Sequence, residues 1–239
     1  GTATGLNGSS NLSGLSTANN NDITLTTTAG SLTITQNVTA NGSGNVDLRA
    51  GGAASDVNVN GATVSSTSGN LQVIAGRSIL TSTATGTTTE FSTSGSLLLD
   101  AADAIGTSAN RIETSVGTLA ARVTGAATTG DIFISEADAL TIGTATGLNG
   151  SSNLSGLSTA NNNDITLTTT AGSLTVSNAV TADGSGTVNL KAGGTNSDMT
   201  LTAPVSSGTG NLTLTANRNV ALDSAAADLT TGGSGAISV

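Results

Sequence analysis

Aliphatic residues recur at every second position in short runs: Ile23 and Leu25, Leu32 and Ile34, Val46 and Leu48, Val57 and Val59, Leu71 and Val73. Thr24, Thr33, Asp47, Asn58 and Gln72 stand between them. Alternation with period two is the pattern of a strand with one inward and one outward face, and the many β-branched residues suit a pleated, half-buried surface. No stretch keeps apolar residues at helical spacing over three turns. Gly, Asn, Asp and Ser stand at the junctions, where a left-handed backbone or a side-chain cap is needed. The only proline, Pro204, falls between runs, where its missing N–H does least harm. The pattern predicts an all-β chain of short strands and tight turns, with the aliphatics facing one core.

A longer rhythm organises these runs. Asp22-Ile-Thr-Leu, Gly44-Asn-Val-Asp-Leu, Gly69-Asn-Leu-Gln-Val, Gly95-Ser-Leu-Leu-Leu, Gly117-Thr-Leu-Ala-Ala, Leu140-Thr-Ile and Asp164-Ile-Thr-Leu begin 22, 25, 26, 22, 23 and 24 residues apart. Further runs at Gly30-Ser-Leu-Thr-Ile, Asp56-Val-Asn-Val and Gly130-Asp-Ile-Phe-Ile lie between them. Each period of about 24 residues therefore carries two or three short strands, as stacked coils require. Residues 1–32 then return unchanged as residues 143–174. The 239-residue chain is one 142-residue unit (1–142) followed by a partial second copy (143–239).

Beyond the identical block, inward positions persist, Val38 with Val180 and Leu48 with Leu190, while outward ones drift, Asp47 to Asn189 and Arg49 to Lys191. One residue is lost near Ala62, a slip that a solenoid absorbs in a corner. The fold expected is a single right-handed parallel β-helix of about ten coils. One coil cannot stand alone: five or six buried aliphatics at about 1.5–3 kcal/mol each do not offset the ordering of some 24 residues, so stability must come from neighbours. Tandem immunoglobulin-like sandwiches fit less well, since they need larger units and usually core aromatics. Leu6 to Ser16, and its twin Leu148 to Ser158, spaces its leucines irregularly and reads either as a protruding loop or as a degenerate rung.

Composition narrows the function. Two phenylalanines, Phe91 and Phe133, are the only aromatics, and there is no Cys or His. Disorder is disfavoured by the regular placing of Val, Ile and Leu. The net charge is −9, and Arg49, Arg77, Arg111, Arg122, Lys191 and Arg218 are too few and scattered to track a nucleic-acid backbone. No apolar run approaches the length of a membrane span, and no signal peptide is expected in what reads as a window from a longer protein.

At GSLTI, GNVDLRAGG, GNLQVIAGRSI and GTVNLKAGG the chain resembles the repeat region of filamentous-haemagglutinin-like exoproteins, large bacterial adhesins exported by two-partner secretion. The resemblance covers essentially the whole chain and implies a right-handed parallel β-helix outside the cell, a rigid stalk or fibre in an adhesin. Implied partners are neighbouring repeats, end-to-end copies forming a filament or sheath, and a host or cell-surface glycan or protein. The NPNG-type signature of that family's secretion domain is not found here.

Candidate chemistry is sparse. Glu136 with Asp138, and Asp100 with Asp103, are pairs of the kind used in glycoside cleavage or calcium binding, but solvated acids at strand ends are the simpler reading. Gly51-Gly-Ala-Ala-Ser-Asp-Val-Asn-Val only partly matches the calcium-binding nonapeptide. Thr-x-Thr pairs such as Thr24 with Thr26 and Thr33 with Thr35 raise an ice-binding face, which Asp47, Gln72 and Leu98 interrupt. Arg77 and Arg218, at matching places, are expected to cover a corner with their long side chains. No residue is assigned a catalytic, cofactor-binding or metal-ligating role; the chain is read as no enzyme and as needing no cofactor.

Overall fold

A computed structural model of the chain describes residues 2–3, 12–125 and 130–239. Within them there is no helix, and one parallel sheet winds through nearly all the strands. The chain forms a β-solenoid of about nine turns roughly 24 residues apart, one fewer than the period led us to expect. At about 4.8 Å per turn the stack is roughly 43 Å long.

Early turns carry three strands each, one of five residues and two of three. Ile23–Thr27, Val46–Ala50 and Leu71–Ala75 are long strands stacked in register, so that Ile23 pairs with Val46 and Val46 with Leu71. The short strands Leu32–Ile34 and Val38–Ala40 stack on Val57–Val59 and Val64–Ser66. The alternation sorts as expected: Val46, Leu48, Val57, Val59, Leu71 and Val73 are wholly buried in one continuous core. Leu25 and Leu32, in the same strands as buried Ile23 and Ile34, are half-buried and pack against this core. The lost residue lies in the corner holding buried Ala62, which shortens to Ala203-Pro204 in the second copy.

The corners explain the recurrent Gly-Asn and Asn-Asp pairs. A Cβ on Gly69 would overlap the carbonyl oxygen of Gly44 in the turn before, and one on Gly210 that of Gly186, so glycine is required at these two places. The following residue caps the next turn: Asp22 Oδ1 accepts the N–H of Asn45 (2.7 Å), Asn45 Oδ1 that of Asn70 (2.8 Å), and Asn70 Oδ1 that of Ser96 (3.1 Å). Such a bond satisfies a backbone donor that a corner otherwise leaves unpaired. Asn19 and Asn20, with φ of 58° and 62°, turn the chain just before the long strand, and their copies Asn161 and Asn162 do the same. Asn tolerates this left-handed region better than most residues.

The two copies do not occupy equivalent sides. Between Phe91 and Ile142 the long and short sides exchange. Ile105 pairs with Ile132 and Ile112 with Ile134, so the short strand Ala104–Ile105 and the start of the twelve-residue strand Ile112–Val123 both stack on the strand Ile132–Glu136. On the other side Leu119 pairs with Ile142 and Ala121 with Leu157, so the long strand divides. Ile132–Glu136 then carries Ile165–Thr169. The identical strands Ile23–Thr27 and Ile165–Thr169 thus lie on opposite sides of the cross-section.

Candidate functional site

Between Ile142 and Leu157, where that long strand divides, sits an insertion that does not belong to the coil. Thr144–Ala145 pairs antiparallel with Leu154–Ser155, forming a hairpin whose base closes where Gly156 N–H donates to the carbonyl of Gly143 (2.8 Å). Leu157–Thr159 then re-enters the parallel stack with Leu157 buried. The irregular tract is therefore both things the sequence left open: a protruding loop as far as Ser155 and a rung from Leu157. In the first copy, Thr2–Ala3 and Leu12–Ser13 pair in the same register and Leu15–Ser16 is the rung strand; Leu6 to Asn11 lie outside the described residues.

The hairpin lies along the outward side of the first copy's long strands. Ala145 packs with Leu98 and Ala120, against Ile74 and Leu154. Farther out, Arg49 Nη2 donates to the Leu148 carbonyl (2.7 Å) and to Ser151 Oγ (3.1 Å), and Leu148 N–H donates to Gln72 Oε1 (2.9 Å). Asp47 accepts from Arg49 Nε (2.8 Å), Gln72 Nε2 (2.7 Å) and Asn149 Nδ2 (2.6 Å). Asp47 and Gln72 do point outward as the alternation requires, but they are buried, because this hairpin replaces the solvent expected there. Outward Leu98 has the same cause. The signal for it was Leu98 itself, an aliphatic on the polar side.

The acidic pairs resolve into structural contacts. Glu136 is fully buried; it accepts from Thr114 Oγ1 (2.6 Å), from the N–H of Val116 (3.2 Å) and from the N–H of Ala137 (3.1 Å). Asp138 is exposed, accepts a long bond from Ser115 Oγ (3.5 Å) and lies beside Glu136, whose proton it helps to hold. Glu136 closes the corner where the ladder shifts and backbone donors lose their partners. Glu90, which sequence reasoning missed, does likewise nearby: it is fully buried and accepts from Thr81 Oγ1 (3.0 Å) and Glu113 N–H (2.7 Å). Burial pushes both carboxyls up to about 7. Asp100 pairs with Arg122 one turn on (2.6 Å), and Asp103 takes no share in that bond.

Asp56, in the stretch that partly matched a calcium nonapeptide, is clamped by Arg77, and Asp198 by Arg218, each arginine one turn beyond its acid. The arginine holds each carboxyl below the usual range. Where a covering side chain was expected at Arg77 and Arg218, each arginine forms an ion pair. Among the described residues no three carboxylates gather in a way that would hold a metal. Hydroxyls stack in single columns, Thr141 over Thr175 over Thr200, and Thr181 over Ser206 over Thr230, rather than in a Thr-x-Thr grid. Thr181 and Ser206 hydrogen-bond to each other (3.2 Å).

These features define a class: a parallel β-solenoid repeat protein whose polar side chains mostly hold one turn to the next. No protein-family profile, curated protein or solved structure matches the chain.

Proposed function

We propose that the chain is a load-bearing segment, a rigid stalk or fibre within a large extracellular bacterial surface protein of the filamentous-haemagglutinin-like kind, and that it has no catalytic role. The observation that carries this reading is the single aliphatic core running unbroken through both copies, including the turn where the sides exchange. A chain whose units share one core bends and extends as one body. The resemblance at GNVDLRAGG and GTVNLKAGG supports the extracellular placing.

Electron microscopy of arrays holding one, two and three units tests it. Straight rods that lengthen by a constant increment of roughly 26 Å per unit, five and a half turns at the rung spacing, are expected. Beads joined at variable angles would overturn the reading.

A further inference from the structure

Four of the six basic side chains are paired with aspartates: Arg49 with Asp47, Arg77 with Asp56, Arg122 with Asp100 and Arg218 with Asp198. The other two, Arg111 and Lys191, have no carboxylate partner among the described residues, and they line one open groove together with Ser135, Thr166, Thr168 and Asn189. In a chain of net charge −9 this pairing of free cations in one place is the exception.

Its origin can be followed residue by residue. Lys191 is the second-copy counterpart of Arg49, and Asn189 that of Asp47. In the first copy the cation is neutralised beside Asp47 and covered by the hairpin; in the second the acid has become an amide and both residues are exposed. Thr166 pairs with Asn189 and Thr168 with Lys191, which makes a two-by-two grid of hydroxyls, amide and ammonium. Arg111 comes from the first copy: its Nη1 donates to Thr168 Oγ1 (3.4 Å), and its guanidinium lies 6.0 Å from the Phe133 ring centroid. The nearby acids face elsewhere. Glu113 accepts from the N–H groups of Gly86, Thr87 and Thr88, Asp131 from that of Asp164, and Asp164 from that of Thr187. The groove is thus built only where the first copy adjoins the second.

We propose that this groove binds the acidic residue of a polysaccharide, a uronate whose carboxylate sits between Arg111 and Lys191 and whose ring hydroxyls meet Thr166, Thr168 and Asn189. Two donors of fixed positive charge give the carboxylate charge-assisted hydrogen bonds, and a grid of neutral hydroxyls and an amide, each both donor and acceptor, suits sugar hydroxyls. The rung spacing of about 4.8 Å is close to the advance of one pyranose along an extended chain. Exposure keeps each contact weak, so affinity grows with the number of sugars engaged and falls with salt. This goes beyond the stalk reading and stands or falls separately from it.

The test is calorimetric or NMR titration of the whole chain with trigalacturonate, its fully methyl-esterified form and a short oligo-aspartate, at low ionic strength. Saturable binding of the free acid is expected, at least tenfold weaker in R111Q/K191Q and in N189D, which returns an acid beside Lys191, and unchanged in R122Q. Absence of saturable trigalacturonate binding at millimolar concentration overturns the proposal. So does equal affinity for the ester or the oligo-aspartate, and so does full affinity in both R111Q/K191Q and N189D.

Discussion

Gly69 occupies a place where the preceding turn's carbonyl leaves no room for a Cβ. Gly69→Ala must force adjacent turns of a continuous stack apart, and a loss of about 1–3 kcal/mol is expected in urea titration. Asn70→Ala removes a side-chain cap from Ser96 and should cost about 1 kcal/mol. At the core, Leu167→Asp places a carboxylate among buried aliphatics and should unfold the surrounding turns, whereas Thr166→Asp beside it faces out and should leave the circular-dichroism melt near the parent value. Equal melts for the two variants would show the inward and outward assignment to be wrong. Glu90 and Glu136 hold their protons to about 7 when folded, against an ordinary 4.5. The folded chain therefore binds more protons than the unfolded one between those values, and their contribution, full below 4.5, declines as pH rises toward 7. Asp56 and Asp198, held low by arginines, act in the opposite sense, and their contribution is lost as pH falls through the acid range. Denaturation midpoints measured across pH 4–8 should fall with rising pH in the parent, and less steeply in Glu136→Gln.

Among the elements, the hairpin Thr144–Ser155 is the one that the alternation pattern did not resolve. Inward columns were legible because a buried position must be aliphatic whichever turn covers it; Val46, Leu48, Leu71 and Val73 needed no knowledge of their neighbours. Leu148, Asn149 and Ser151 gave no such signal, since their partners Arg49, Gln72 and Asp47 lie some 76 to 102 residues away. Nor could spacing show Glu136 as a buried cap, because its burial depends on a register shift between turns. Since Gly143 and Gly156 already bond to each other, joining them directly and deleting residues 144–155 should leave the solenoid wound. The uncovered Leu98 and Ala120 should lower stability by about 1.5–3 kcal/mol, read from urea midpoints. Loss of all cooperative unfolding in that deletion would instead make the hairpin integral to the core.

Over the whole molecule, stability belongs to the stack: each turn has its aliphatics covered by the turns on either side, so an array of two full units should melt higher than one. The identity of residues 1–32 and 143–174 predicted repetition but not its geometry, because a unit of 142 residues, with the hairpin left out of the coil, fills about five and a half turns of roughly 24 residues, not a whole number. The operation that carries one copy onto the next is therefore a screw, a shift along the axis combined with half a revolution. Along a longer array of the same units, odd-numbered hairpins would line one edge of the rod and even-numbered ones the opposite edge. An antibody raised against the Thr144–Ser155 epitope would then decorate such a rod in two facing files, each with a spacing twice that of the sequence repeat.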